Sequence, residues 1–599
     1  LEAGLAGLAG LRISLLLALL WLAGCASPGA VRDAAVVEPA ADSIAALLDR
    51  AGAAAGSEAA ELRIAAAERL LAAGRLIDAG EVAAAAFPPP AELAVELALL
   101  RARIALAAGD AGAAMARLRE IAAPVRGDAR FIDYQLLLGD AAEAQAEPRL
   151  AVSAWSEAAS RLDGDAGEAV RRKIWATLES RSAQELEDMA AASTGYEQRG
   201  WVELARVVDS GEYSIPRQLE SLIAWRRAWE QHAAARQLPG QLRELESAWA
   251  ERPRHIALIL PLREAAGAAV KQGFLAGYYE ALAVSREVPR LTLFDSSGAR
   301  DIRPLYQQAV DSGAELIVGP LFKDRVNELL AAGEPPAPTL ALNYTDAEPA
   351  PGDGRLFQFA LAPEDEIDAV IELAWRVGHR NAAVIYPAND VFLRLQNIFA
   401  ERWRERGGDF VARAAYLDAG NSTEVVKTVL DIDASEARLA RLLDVLPRSN
   451  AEFTPRRRRD IDFIFLMANP QAGRQIKPAL DFYYAEDLPV FALPSIHDGG
   501  GDAALNRDLN GVIFADAPLM WRDGDPALAA SGTERRLQAM GIDSFRLYPR
   551  LGQFLAREIT SLRGATGELR MEENRRIHRR LTPARFENGI AVPLSNPDG

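Results

Sequence analysis

Cys25 is the only cysteine among 599 residues, and it directly follows Leu22-Ala23-Gly24. A thiol is the strongest common side-chain nucleophile near neutral pH, so this position suits covalent modification of its sulfur. Other chemistry-bearing residues are present without the spacing their chemistry needs. The five histidines, His232, His255, His379, His497 and His578, are scattered, and no HExxH or close pair sets two of them on one metal. No GxSxG elbow, P-loop or SxxK occurs. Asp498-Gly499-Gly500-Gly501-Asp502 lacks the ligand spacing of a calcium loop and reads as a flexible loop. Carboxylates are abundant, yet nothing singles out a pair arranged for glycoside hydrolysis. The expectation is a protein that is not an enzyme, with no catalytic residues, metal or cofactor.

The elements that position Cys25 lie just ahead of it. Arg12, the apolar run Ile13 to Leu20 and a small-residue exit have the layout of a secretory signal over residues 1–24. That run is well short of the ~20 residues a spanning helix needs. Leu22 to Cys25 resembles a bacterial lipobox, in which the cysteine is lipidated and becomes the mature N-terminus. The plainer reading is an ordinary cleaved signal with an incidental cysteine. Ala26-Ser27 follow, with no Asp, which by the sorting rule for bacterial lipoproteins implies the outer membrane. Residues 25–41, with Pro28, Gly29 and Pro39, read as a lipidated tether. A lone cysteine makes no internal disulfide, so folding rests on burial. A net charge of −17 repels nucleic acid and anionic headgroups alike, which leaves the lipid as the membrane attachment and counts against a nucleic-acid partner.

Residues 42–250 are rich in Ala, Leu, Glu and Arg, with apolar residues at helical spacing such as Leu62, Ala65, Ala66 and Leu70. LLAAGRLIDAGEVA (70–83) and IALAAGDAGAAMARL (104–118) share one pattern, and a third unit (134–158) turns at Glu147-Pro148. The period resembles tetratricopeptide-type helical hairpins, which stack into arrays. Trp155, Trp175, Trp201, Trp225 and Trp229 read as anchors between packed helices rather than as glycan platforms.

Around Arg252-Pro253-Arg254 the pattern changes. His255 to Leu260 is a continuous apolar run, as expected of a strand buried on both faces, and a helix over Glu264 to about Val284 follows. Further strands are expected at 291–294, 315–320, 338–343, 356–361, 382–387, 462–467, 489–494 and 511–516, mostly with helices between them. Residues 254–599 thus read as parallel sheets in two α/β lobes. Arg456, Arg457, Arg458 and Arg459 lie in a polar stretch from Ile432 to Asp460. They read as a solvated loop or, in an acidic chain, as a docking patch for an acidic partner.

HIALILPL (255–262), GAAVKQGFLAGYYEA (267–281), LTLFDSSG (291–298) and ELIVGPLFKD (315–324) are similar to the first lobe of type I periplasmic binding proteins. YPRLGQFLAREI (548–559) and residues 564–589 are similar to that fold's last crossing. With the lipobox, the helical repeats and GVIFADAPLMW (511–521), the chain resembles the LpoA family of outer-membrane lipoproteins. The resemblance implies a TPR-like helical domain followed by a two-lobed binding-protein-like α/β domain. It also implies a role near peptidoglycan, activating a class A penicillin-binding protein of the inner membrane by contact and so stimulating peptide cross-linking.

The alternative is a lipoprotein receptor for a small polar solute. Against an amino-acid receptor stands the loop Pro261 to Gly267, which has no hydroxyl residue and places Glu264 where an anion would sit. Arg263, Glu264, Asn343, Tyr344 and Asp516 are the candidate cleft-lining residues, and loop capping accounts for the last three equally well.

Overall fold

The computed structural model describes residues 43–594 apart from 125, 210–214, 244, 347–353, 418, 445–452, 501–502, 523–527, 530 and 556–560. The chain divides into a first compact unit that ends at Val170 and a second that begins at Arg171. The change of pattern near residue 250 marks a switch from helices to alternating strands, whereas compactness divides the chain some way before it.

The first unit is helical: α1 (Ile44–Ala53), α2 (Gly56–Ala72), α3 (Leu76–Ala85), α4 (Ala94–Ala107), α5 (Ala111–Arg119), α6 (Phe131–Ala144) and α7 (Pro148–Ala159). Its three repeat turns are built alike. After α2, Arg75 N–H donates to Leu70 O and Gly74 N–H to Leu71 O; after α4, Asp110 donates to Ala105 and Gly109 to Leu106. After α6, Glu147 donates to Ala142 and Ala146 to Glu143. Each pair closes a Schellman motif, which needs a left-handed residue past the helix end. Gly74 (φ 74°) and Gly109 (φ 80°) adopt that conformation freely, while Ala146 (φ 56°) does so against its Cβ. Pro148 then starts α7 at a position where its missing N–H costs nothing. Trp155 is buried against Gly139, where a Cβ would come within 2.4 Å of its ring, and its Nε1 donates to Asp140 at 3.0 Å.

Helix α8 (Gly164–Glu179) contains the division between the units. The second unit continues with α9 (Ala183–Ala192), α10 (Tyr196–Asp209), α11 (Ile215–Ala228), α12 (Ala233–Arg236), α13 (Gly240–Arg243) and α14 (Leu245–Ala250). Trp175, Trp201 and Trp225 are buried, and Trp229 is half-buried. Trp201, Trp225 and Trp229 surround buried His232 at 5.6–6.0 Å between ring centroids, so these tryptophans are core anchors. Burial pushes His232 down to about 4, and its neutral ring is held by Glu197 O and Ala234 N–H. These helices belong with the α/β part. Arg550 donates to Gln218 of α11, and the Arg563 guanidinium donates to Glu179 O at 3.2 Å.

Two sheets follow. Strands β1 (His255–Leu260), β2 (Arg290–Asp295), β3 (Leu316–Val318), β4 (Thr339–Ala341) and β5 (Leu356–Phe359) pair in parallel in the order 2-1-3-4-5. Strands β6 (Asn381–Pro387), β7 (Asp409–Tyr416), β8 (Phe463–Leu466), β9 (Val490–Ala492) and β10 (Ile513–Asp516) repeat that order as 7-6-8-9-10. It is one of the two common doubly wound arrangements. The C-terminal strands then split between the lobes. β11 (Leu562–Arg563), β12 (Glu568–Met571) and β13 (Arg576–Arg580) extend the first sheet, while β14 (Thr582–Glu587) and β15 (Ile590–Pro593) extend the second.

Helices α15 (Ala265–Val284), α16 (Arg303–Asp311) and α17 (Lys323–Leu330) belong to the first lobe. α18 (Pro363–Arg376) leads into the second lobe, which adds α19 (Asp390–Glu405), α20 (Ser422–Leu430), α21 (Ile432–Leu443) and α22 (Pro470–Phe482). α23 (Gly532–Leu547) and α24 (Leu551–Leu555) lead back. Apolar cores cover both faces of each sheet, as parallel strands require. α15 and α23 cross at reciprocal glycines. A Cβ on Gly273 would lie 1.9 Å from Gln538 O, and one on Gly541 would lie 2.1 Å from Val270 O. The architecture is the two-lobed, type I periplasmic-binding-protein-like α/β fold expected from the sequence, preceded by helices.

Candidate functional site

The chain passes between the lobes three times: from β5 through α18, from β10 towards α23, and from β13 to β14 through Leu581 alone. Where these passages meet, charged side chains are packed together. α18 opens with Pro363 and three acids, Glu364, Asp365 and Glu366, a composition that the positive end of a helix dipole favours. Asp365 is 4% exposed. It accepts from His578 Nδ1 at 2.7 Å and from Arg579 N–H at 3.2 Å, with Arg579 Nε 3.4 Å away. The first and third passages are thereby joined. The hydrogen bond that His578 donates to Asp365 raises the His578 pKa above its ordinary value, against the effect of burial.

The second passage is tied by Asp516, which closes β10. Arg536 of α23 grips its carboxylate through two hydrogen bonds of 2.7 and 2.6 Å, and also donates to the carbonyls of Pro494 and His497. His497 Nδ1 lies 3.3 Å from Asp516, and its ring stacks on Trp521 at 5.3 Å. Burial disfavours the Asp516 charge, yet Arg536 and His497 keep its pKa below the ordinary carboxylate value. Between the two knots lies Glu366. Desolvation pushes its carboxyl up to about 7, opposed by Arg579 and Arg536 and reinforced by Asp516 and Asp365.

The candidate cleft residues divide between this cluster and the lobe surface. Asp516 is at its centre. Tyr344 borders it, donating its hydroxyl to Ile577 O at 2.9 Å, with the Arg576 guanidinium 5.2 Å from its ring. Burial raises the Tyr344 pKa. Asn343 caps its own loop, donating to Leu321 O and accepting from Tyr344 N–H. Arg263 is exposed and occupied by Asp295 at 3.1 Å and Ser297 O at 2.8 Å. Glu264 precedes α15 without a capping hydrogen bond from its carboxylate.

In the second lobe, Arg457 binds Tyr484 O and Asp487, Arg458 binds Asp460, and Arg456 and Arg459 are exposed. Cys25 lies outside the described residues. Asp365, Glu366, Arg536 and Arg579 are members of this candidate site that sequence reasoning missed. The signal was there in part, as three acids at a helix start and an arginine-rich strand. Because these charges neutralise one another, the arrangement suits a joint that fixes the lobe passages. Among the described residues no group of side chains is arranged to hold a metal ion, and no helix is long and apolar enough to cross a membrane.

The family described as "LppC putative lipoprotein" matches residues 38–589. The chain belongs to the LppC lipoprotein family. This LppC chain is similar to the penicillin-binding protein activator LpoA of Vibrio antiquarius (strain Ex25), with 26% identity over 437 residues, 69% of this chain and 70% of the relative. It is also similar to the penicillin-binding protein activator LpoA of Aliivibrio fischeri (strain ATCC 700601 / ES114), with 24% identity over 68% of this chain and 69% of that one. Among solved structures, a monoclinic form of Haemophilus influenzae LpoA matches with a TM-score of 0.54 and 22% identity, over 92% of this chain and 98% of that chain. The likeness to LpoA read from the sequence therefore holds, and the solved structure supports the fold in both its helical and α/β parts.

Proposed function

We propose that the chain is an outer-membrane lipoprotein, attached through Cys25, that activates a class A penicillin-binding protein by direct contact across the periplasm. The carrying observation is the LppC match over residues 38–589, joined to the likeness to proteins named penicillin-binding protein activators. Activation of this kind needs no catalytic group. A partner that binds the synthase's active conformation more tightly than its resting one shifts the equilibrium by that difference in affinity. The paired charges at the lobe passages fit this reading, since they hold the lobes in register and leave the outer faces for contact.

The test is separation of the inner and outer membranes on a density gradient, followed by detergent solubilisation and co-isolation with the tagged chain. The wild-type chain is expected in the outer-membrane fraction and to bring a class A synthase with it. Cys25→Ser is expected to leave that fraction. A chain that stays with the outer membrane without Cys25, or that brings no synthase, contradicts the proposal.

A further inference from the structure

A hollow of about 650 Å³ lies in the second unit beside the second lobe passage. Its wall is built by the start of α11, by α14, by the later turns of α15, by the end of α23 and by the chain leaving β10. None of the five candidate cleft residues lines it, and neither do the charged residues of the joint between the lobes. Its size falls within the roughly 300–1,000 Å³ that small-molecule sites occupy. Small residues keep it empty of side chains, namely Gly277 and Ala281 on α15 and Gly564 and Ala565 after β11. Folded interiors leave few voids wider than a water molecule, so a hollow of this size is more than packing alone leaves behind.

Most of the wall is apolar. Ile215, Trp249, Val284, Leu519, Phe545 and Tyr548 line it, and all but Trp249 and Val284 are buried. The aromatic members are fixed by the protein itself. Trp249 Nε1 donates to Glu287 at 3.2 Å, and the Arg252 guanidinium lies 3.6 Å from its ring centroid. Phe545 is held edge-on by Phe274 at 5.4 Å. Walls held in this way need little ordering when a ligand enters.

Five charged side chains line the hollow, and three are arginines, in a chain of net charge −17. Both acids are countered within the protein. Glu287 accepts from Arg252 at 2.8 Å as well as from Trp249, and Glu280 lies 3.7 Å from Arg546. Arg522 is exposed and has no ionic partner among the described residues. Ile215, Pro216 and Arg217 form the first turn of α11, so the positive end of that helix also meets the hollow. An apolar interior with this surplus of positive charge suits one negative group.

We propose that the hollow binds a monoanionic amphiphile, an apolar chain with a single carboxylate as in a fatty acid, its chain against Trp249, Val284 and Phe545 and its carboxylate drawn to Arg522. A neutral head would leave Arg522 without a counter-charge, and a cationic one would be repelled. The site is independent of the function proposed above.

The test uses the full chain with dodecanoate, dodecanol and dodecyltrimethylammonium, each below its micelle-forming concentration. Isothermal titration calorimetry measures binding and thermal melting measures folding. Dodecanoate is expected to bind saturably, one per chain, and about tenfold or more tightly than either of the others. Arg522→Glu, at an exposed position, is expected to melt like wild type, to weaken dodecanoate by about fivefold and to leave dodecanol unchanged. Ala281→Phe fills the hollow from a half-buried position and Ala283→Phe from an exposed one on the same helix. Ala283→Phe is expected to melt like wild type, and both are expected to abolish dodecanoate uptake. Wild-type chain that takes up no dodecanoate saturably overturns the proposal, as does uptake unchanged in Ala283→Phe. Dodecanol bound as tightly as dodecanoate, or Arg522→Glu that binds dodecanoate as wild type does, overturns the anionic class.

Discussion

His578 and Asp365, 213 residues apart in sequence, meet at 2.7 Å across two of the three passages between the lobes. The adjoining Arg579 uses both its backbone and its side chain on the same carboxylate. Arg536 and Asp516 repeat the arrangement at the remaining passage. The angle between lobes is therefore set by side-chain charge pairs as well as by the strands. Moving one lobe would separate charges from their partners in a poorly solvated place.

Asp516→Asn removes the carboxylate and leaves the Arg536 charge short of its main partner. Breaking one side of a buried pair costs about 3 kcal/mol. Urea denaturation should show the second unit destabilised by that order, with the first unit's transition unmoved.

Glu366 gives a pH signature. Its folded value, about 7, lies above its ordinary 4.5, so the folded state holds the proton longer than the unfolded chain does. Stability is then lost as pH rises from 4.5 through 7, and the cost stays constant above that. Glu366→Gln should stabilise the second unit by about 1–2 kcal/mol at alkaline pH and change little near pH 4.5. Melting curves across that range check both arms.

Gly273 and Gly541 allow α15 and α23 to touch backbone to backbone. Ala at either position drives a methyl into a carbonyl that belongs to a helix and cannot swing away. Each substitution should cost about 3 kcal/mol or more, seen as a lowered melting temperature.

Ala146 is the one repeat turn of the three whose left-handed residue is not glycine. Ala146→Gly should relieve about 1 kcal/mol of strain. In the full chain, hydrogen exchange of α6 and α7 should slow by roughly fivefold, and slower exchange confined to other helices would contradict the assignment.

Much of this was legible in the residues. Nine expected strands match β1 to β6 and β8 to β10, because continuous apolar runs leave little choice but a strand covered on both faces. β7 was not, since an edge strand such as DFVARAAY mixes exposed polar and half-buried positions. Nor were β11 to β15 resolved as strands. Arg576-Ile577-His578-Arg579-Arg580 looks like a surface segment until Asp365 is brought to it from another part of the chain. The site was legible only where a residue ends a strand, as Tyr344 and Asp516 do. Their partners lie tens to hundreds of positions away, and pairing at that range leaves no local spacing to read. The join at Val170 was hidden for a related reason, because helices packing within one unit have the same amphipathic pattern as helices packing within the other.

The central claim is activation by touch. Purified class A synthase and lipid II, with and without this chain, with cross-linked muropeptides quantified over time, test it most directly. The account predicts a saturable rise in cross-linking with added chain, and no change in a peptidoglycan sample that lacks the synthase. Cross-linking that stays flat at saturating chain, or peptidoglycan altered by the chain alone, would contradict it.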